Sequence, residues 1–300
     1  MVIDNKVFDI GKRTYIMGIL NLTPDSFSDG GSYRSTEEAV KRAKEMARQG
    51  ADMIDVGGES TRPDHTPVSE SEEMERVIPV IAALKSEINV PVSIDTMKAS
   101  VAEAAIKKGA SVINDVWGFK KDVKMAEVAA RYGVACCLMH NRENKNTAQG
   151  NEWYVENKQE DKQCPGKTFQ YDDFIDGMLA EIAESIEIAL KAGVKKENIM
   201  IDPGIGFAKT HEQNLAVMKN LKVFKTLGYP VLLGTSRKSL IGNVLNLPPD
   251  QRMEGTIVTT ALGIFQGCDF VRVHDVLENK KACVMADAIV RECGVSLQYG

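Results

Sequence analysis

Short apolar runs alternate with longer amphipathic stretches along most of the chain. The first run is Tyr15–Leu20 (YIMGIL), and the amphipathic stretch after it, about Thr36–Gln49, stops at Gly50. MIDV follows at 53–56. Next comes a helical pattern at about Ser69–Lys85, whose start, Ser69-Glu70-Ser71-Glu72, reads as an N-cap with acids in the first turn. Further apolar runs lie at Pro91–Ile94, Ser111–Ile113, Val134–Met139, Ile199–Ile201, Pro230–Leu233 and Phe270–Val273. Lys108-Gly109-Ala110, Tyr132-Gly133-Val134, Ala192-Gly193-Val194 and Gln266-Gly267-Cys268 each stop a helix just before a strand. The strands are nearly all apolar, as in a parallel sheet covered on both faces. Eight such strands with helices between them predict an α/β chain folded as one (β/α)8 TIM barrel spanning 1–300. An open doubly wound sheet is the alternative.

Two segments fall outside this rhythm. The residues before Tyr15 read as a short N-terminal hairpin across the barrel bottom. Residues 143–171 are polar and too poor in apolar positions for another βα unit, so they read as an insertion after the fifth strand. A surface excursion of that length costs little loop-closure entropy. Trp153, Tyr154 and Phe169 packing beside the barrel mouth is the other reading.

Composition narrows the class. The chain has 300 residues, and a prior of about 150 residues per domain suggests two domains, which the strand count replaces with one barrel. With 43% hydrophobic and 26% charged residues it is an ordinary globular sequence, not a disordered or fibrous one. The net charge is −5 and no long basic run occurs, which argues against a nucleic-acid partner. No apolar run reaches the roughly 18 residues of a membrane span. The opening residues lack the apolar core of a signal peptide, so a cytoplasmic location is expected. Six cysteines without a C-x-x-C pair read as reduced thiols.

Polar residues gather where each strand ends, which in a barrel is the mouth that carries chemistry. They are Asn21, Asp55, Asp95-Thr96, Asn114-Asp115, His140-Asn141, Asp202-Pro203-Gly204, Gly234-Thr235-Ser236-Arg237-Lys238-Ser239, and Arg272 with His274-Asp275. Thr96, Asp115 and Asp275 fit capping or loop bonding. Asp95, Asn114 and Asp202 follow apolar residues at matching depth and should point into one mouth. His65 and His211 lie in polar loops, whereas His140 and His274 sit at strand ends. No H-x-H pair occurs, which argues against an amidohydrolase-type metal centre. Gly204–Gly206 is a G-x-G without the third glycine of a dinucleotide fingerprint. Carboxylates beside an amide suit the N–H groups of an aminopyrimidinone. Arg62, Arg237, Lys238, Arg272 and His274 suit an anionic leaving group such as diphosphate.

With these motifs in view, the sequence resembles the dihydropteroate synthase family, of the monofunctional bacterial type. The resemblance rests on MGILNLTPDSFSDGGSY (17–33), DVGGESTRP (55–63), SIDT (93–96), NDVWG (114–118), LMHN (138–141), DPGIGFAKT (202–210), LLGTSRKS (232–239) and RVHDV (272–276). It implies a homodimeric barrel that joins 6-hydroxymethyl-7,8-dihydropterin diphosphate to p-aminobenzoate, releasing diphosphate, and that sulfonamides inhibit. It further implies that Asp95, Asn114, Asp202 and Lys238 hold the pterin, with Met139, Phe207 and Gly234 lining its pocket. Asn21, Thr61, Arg62, Arg272 and His274 would bind diphosphate, and Asn21 would also ligate Mg2+. Phe27, Thr61, Pro63, Lys238 and Ser239 would shape the p-aminobenzoate site, and Asp29 would belong to a mobile first loop. The polar stretch 143–171 departs from the family pattern. Another pterin-binding barrel, a methyltransferase, would not need TPDSFSDGG or SRKS, and both are present. A non-catalytic pterin-binding protein would not need the leaving-group set.

Overall fold

Alternate residues of a strand face opposite ways, and in this chain the two faces have different partners. The computed structural model describes residues 1–22, 32–60, 67–142 and 171–291. Its strands are β1 (Val2–Ile3), β2 (Lys6–Val7), β3 (Tyr15–Asn21), β4 (Met53–Gly57), β5 (Val92–Asp95), β6 (Val112–Asp115), β7 (Ala135–Met139), β8 (Ile199–Asp202), β9 (Leu232–Leu233) and β10 (Phe270–Val273). The last eight form one parallel sheet in the order β8-β7-β6-β5-β4-β3-β10-β9. A parallel bridge between Ile201 and Val231 joins its two edges. The sheet therefore closes into the expected TIM barrel, and the open doubly wound alternative is excluded.

The described helices are α1 (Ser32–Arg48), α2 (Glu70–Glu87), α3 (Ala99–Lys107), α4 (Met125–Tyr132), α5 (Tyr171–Ala192), α6 (His211–Lys219), α7 (Leu221–Phe224), α8 (Ser239–Leu245), α9 (Met253–Phe265) and α10 (Val276–Val290). Ser69 caps α2 as expected, its side chain accepting from the Glu72 backbone N–H at 3.2 Å. Gly133 ends α4 with φ 65°, a left-handed stop that costs glycine no Cβ clash. Outward strand residues such as Ile54, Ile94, Ile113, Leu138 and Ile201 pack with the helices in one buried cluster. Each such fully buried aliphatic side chain contributes about 1.5–3 kcal/mol of transfer free energy.

Inward residues of the lower barrel form a second cluster. Met17, Met53, Val112, Cys137, Met200, Leu232 and Phe270 meet Ile3 and Phe8 from the N-terminal segment. β1 and β2 pair antiparallel, and the Phe8 ring lies 4.8 Å from Tyr15 and 5.8 Å from Phe270. The predicted hairpin thus plugs the barrel bottom, leaving the opposite end for chemistry.

Most strand ends shift by a residue or so, and some boundaries differ in more telling ways. α1 begins at Ser32, four residues earlier than its apolar pattern suggests. β9 keeps only Leu232–Leu233: Pro230 has no N–H to give a ladder, and the Val231 N–H goes to the Asp269 side chain at 2.9 Å. Tyr171 already belongs to α5, and the rest of the polar stretch, 143–170, lies outside the described residues.

Candidate active site at the barrel mouth

The inward parity that is apolar at the barrel bottom turns polar toward the strand C-termini. On β4 it runs Met53, Asp55, Gly57; on β5 Ser93, Asp95; on β6 Val112, Asn114; on β7 Cys137, Met139; on β8 Met200, Asp202. Register places Asn21 beside Gly57, Gly57 beside Asp95, Asp95 beside Asn114, and Met139 beside Asp202. The carboxylates and the amide are buried, Asp95 being 6%, Asn114 4% and Asp202 5% exposed.

Contacts across the lumen tie these strands together. Arg272 on β10 donates from Nε to Asp55 Oδ2 at 2.7 Å and from Nη2 to Asp95 Oδ2 at 2.6 Å. Asn114 Nδ2 donates to the same Asp55 Oδ2 at 2.9 Å. Burial tends to discharge Arg272, but Asp55 and Asp95 outweigh it and hold the guanidinium more firmly charged than usual. Burial raises the Asp95 carboxyl above the ordinary range, against the pull of Arg272 and with the push of Asp55. Asp95 Oδ1 is buried and has no hydrogen-bond partner among the described residues, which leaves an unpaired acceptor in the site.

A second group forms opposite. Asp202 Oδ1 accepts from the Gly204 backbone N–H at 2.7 Å. Burial raises its pKa, opposed by Lys238 and by that N–H. A methyl group on Gly234 would sit 3.6 Å from Asp202 Oδ2, 3.8 Å from Lys238 Nζ and 3.9 Å from Arg272 Cβ, so the three converge on that glycine. Lys238 donates to the Ile205 carbonyl and places its ammonium 4.6 Å from the centre of the Phe207 ring. Burial lowers its pKa to about 8, with Asp202 resisting. Asn21 is half-buried on the other side, its Oδ1 and Asp95 Oδ2 each 3.7 Å from the point a Gly57 methyl would occupy.

His274 lies at the β10 end, where Ser236 Oγ accepts its backbone N–H at 3.2 Å and meets its Nδ1 at 2.9 Å. The serine hydroxyl thus anchors both the backbone and the ring of His274. Ser239 is the exposed first residue of α8. Phe27, Asp29, Thr61, Arg62, Pro63 and His65 lie outside the described residues.

Several candidates take other roles. Asp115 faces outward and closes its own turn by accepting from the Trp117 and Phe119 N–H groups at 2.9 and 2.8 Å. Asp275 does not cap α10 with its side chain but pairs with Arg237 at 2.5 Å. Arg237 is therefore committed to that pair rather than to the mouth. Asp55 is mid-strand, one step below the β4 end. His140 is buried between Glu181 and Lys209, and burial lowers its pKa to about 4. Sequence reasoning missed Lys209, which donates from Nζ to the Gly204 and Phe207 carbonyls at 2.9 and 3.0 Å and so holds the loop after β8. Its place inside DPGIGFAKT was the available signal.

The chain is similar to known proteins over nearly its whole length. The model of the pterin binding enzyme family matches residues 17–274. Dihydropteroate synthase of Clostridium beijerinckii is 57% identical over 292 residues, covering 97% of this chain and 100% of the relative. A crystal structure of the Clostridium difficile dihydropteroate synthase in the presence of pteroic acid superposes with TM-score 0.85 at 51% identity, covering 95% of this chain and 100% of that one. The Yersinia pestis dihydropteroate synthase with a sulfonamide drug superposes with TM-score 0.82 at 36% identity over 96% of this chain and 98% of its own. The converging carboxylates, the Lys238–Phe207 pair and this similarity over nearly its whole length together say that the chain belongs to the pterin binding enzyme family, among the dihydropteroate synthases.

Proposed function

We propose that the protein condenses 6-hydroxymethyl-7,8-dihydropterin diphosphate with p-aminobenzoate, giving 7,8-dihydropteroate and diphosphate. The observation that carries the reading is the buried ring of acceptors Asp95, Asn114 and Asp202 facing the cations Lys238 and Arg272 across one lumen. The carboxylates and the amide accept from the N–H groups of the pterin, and the Lys238 ammonium donates to its carbonyl. Met139, Phe207 and Gly234 line the flat ring's pocket. Arg272 commits two of its N–H groups to Asp55 and Asp95 and turns the rest of its fork to the substrate.

The reaction breaks the C–O bond to diphosphate before the amine attacks. Negative charge grows on the leaving group, which Arg272 and His274 would face and to which Arg62 would add its charge. Positive charge grows on the pterin methylene, near Asp95 and Asp202. The amine lone pair of p-aminobenzoate then forms the new C–N bond, and the nitrogen gives up a proton to the released diphosphate or to solvent. In the same proposal Thr61, Pro63, Phe27 and Ser239 would frame the aminobenzoate, and Asp29 would belong to the first loop. Sulfonamides, found with the Yersinia pestis relative, would compete at that position.

Mg2+ fits the mouth as an ion that arrives with the diphosphate. Among the described residues no group of three or more His, Cys, Asp or Glu could hold a metal. Mg2+ commonly takes one or two protein oxygens and completes its shell with phosphate oxygens and water. Asn21 Oδ1, a hard oxygen at the rim beside Asp95, suits that need. When bound, the ion supplies Lewis-acid stabilisation of the leaving charge.

A cytoplasmic homodimer belongs to the same proposal. Among the described residues no helix is long and apolar enough to cross a membrane, and Cys136, Cys137, Cys268 and Cys283 are free thiols. α9 and α10 pack side by side and expose large apolar residues that suit a second copy. Mixing the purified protein with both substrates and Mg2+ and measuring diphosphate tests the function. Release that requires p-aminobenzoate is expected, and none at all would overturn it.

A further inference from the structure

Asp55 is a fully buried carboxylate in the barrel lumen, one inward step below Gly57, and the reaction as derived does not use it. Its Oδ2 accepts from two pocket side chains at once, Asn114 Nδ2 at 2.9 Å and Arg272 Nε at 2.7 Å. These donors come from β6 and β10, on opposite sides of β4 in the sheet order. We propose that Asp55 is a positioning residue for the pterin site, setting which edge Asn114 and Arg272 present to the ring. The proposal rests on the reading of that site given above.

An ionised carboxylate offers acceptors only. Asn114 must therefore turn its NH2 edge down to Asp55, and its carbonyl Oδ1 becomes the branch left for the ligand. Without Asp55 the amide has no reason to prefer that orientation, and a flipped amide would oppose a donor to the N–H groups of the ring. The guanidinium is fixed by the same atom. Nε is held by Asp55 and Nη2 by Asp95 at 2.6 Å, and two bonds to different nitrogens define the plane of a rigid fork. Two ligand-facing groups thus take their orientation from one oxygen beneath them, in the manner of supporting groups that lock a binding constellation.

The test is steady-state kinetics of Asp55→Ala and Asp55→Asn with both substrates varied. Asp55→Ala should raise KM for the pterin diphosphate at least tenfold and leave KM for p-aminobenzoate within twofold. Asp55→Asn retains a side-chain oxygen for Asn114 but gives up the charge that pairs with Arg272, and should recover part of that loss. In an Asn114→Ala background the Asp55→Ala effect should shrink, because part of its route is gone. Pterin KM at the parental value in Asp55→Ala, equal changes in both KM values, or Asp55→Asn no better than Asp55→Ala would each overturn the proposal. If Asp55→Ala does not fold, Asp55→Ser is judged by the same criteria. Asp202→Asn separates the two levels of argument. If it binds pterin as the parent does, the site reading falls and the proposal with it. If it loses pterin while Asp55→Ala does not, only the positioning role falls.

Discussion

The ammonium of Lys209 lies 2.9 Å from His140 Nδ1, and Glu181 Oε2 lies 2.9 Å from His140 Nε2 on the other side of the ring. Burial pushes the Lys209 pKa well down, yet its Nζ serves His140 and two backbone carbonyls, three acceptors that need an ammonium. His140 therefore accepts at Nδ1 and is a neutral ring with its proton on Nε2 facing Glu181. Protonating Nδ1 would set two cations against each other in a buried place. Burial and Lys209 accordingly lower the His140 pKa to about 4. Burial alone would raise Glu181, but the bonds from His140 and Arg142 outweigh it and hold that carboxyl at about 2.

A pH dependence of stability follows. The ordinary histidine pKa is about 6.5, so between pH 6.5 and 4 the unfolded chain takes up a proton that the fold refuses. Stability from His140 is fully present above pH 6.5 and is lost as pH falls toward 4. The loss is on the order of 2–3 kcal/mol for this group. Urea unfolding at pH 7.5 and pH 4.5 measures it, and His140→Gln should flatten the difference. An equal slope in the variant would assign the dependence to other groups.

Lys238 predicts a limb in activity instead. With its pKa lowered to about 8 by burial, the ammonium loses its proton as pH rises through that value. The donor to the pterin carbonyl disappears with it. Since kcat/KM reports the free enzyme, kcat/KM for the pterin diphosphate should fall above about pH 8. Lys238→Arg, which stays charged, should turn over more slowly but lose this limb. The same limb in the arginine variant would count against Lys238.

Removing charge from the site should be costly below about pH 8, where Lys238 is still an ammonium. Asp202→Asn or Lys238→Ala is expected to lose at least about 2.7 kcal/mol of transition-state stabilisation, about 100-fold in rate. Single-turnover measurement of diphosphate release reads this directly. Near-normal rates in both variants would remove these residues from the chemistry.

Gly204 couples the two layers of the site. Its φ is 69°, its N–H holds Asp202, and an added Cβ would meet the His140 carbonyl oxygen at 2.1 Å. Backbone against backbone cannot yield by a side-chain rotation. Gly204→Ala should therefore destabilise the fold by roughly 2 kcal/mol or more and weaken pterin binding. Calorimetry with and without a pterin ligand checks both effects. An unchanged melting temperature would contradict the close approach.

Most of the barrel was legible because strand parity is written into the sequence: Asp95, Asn114 and Asp202 each end a short apolar run, at the parity that faces inward. Asp55 was harder to assign, because MIDV reads as the end of a strand while the ladder runs on to Gly57. The pairing of Arg237 with Asp275 spans 38 residues, and that of His140 with Lys209 spans 69. No local pattern announces such partners. Two strand-end groups that read equally well as ligand contacts were therefore separated from the site only by three-dimensional contacts.

The exposed faces of α9 and α10 carry the last prediction. Val258, Leu262 and Phe265 recur at helical spacing on α9, and Phe265 is 72% exposed. On α10, Met285 and Ile289 stand one turn apart, and Ile289 is 70% exposed. The core-facing side of α10 is accounted for by Val276, Cys283 and Ala286, so these outward residues are surplus to the barrel's own packing. Large apolar side chains grouped on adjacent helices are the mark of an interface rather than of scattered surface hydrophobes. In a two-fold dimer the same patch serves both copies, so one substitution is felt twice. Phe265→Glu combined with Ile289→Glu would place four carboxylates in that contact. Sedimentation velocity should find a dimer for the parent and a monomer for the double variant, with the barrel's circular dichroism unchanged. A dimer that survives both substitutions would move the interface to another face.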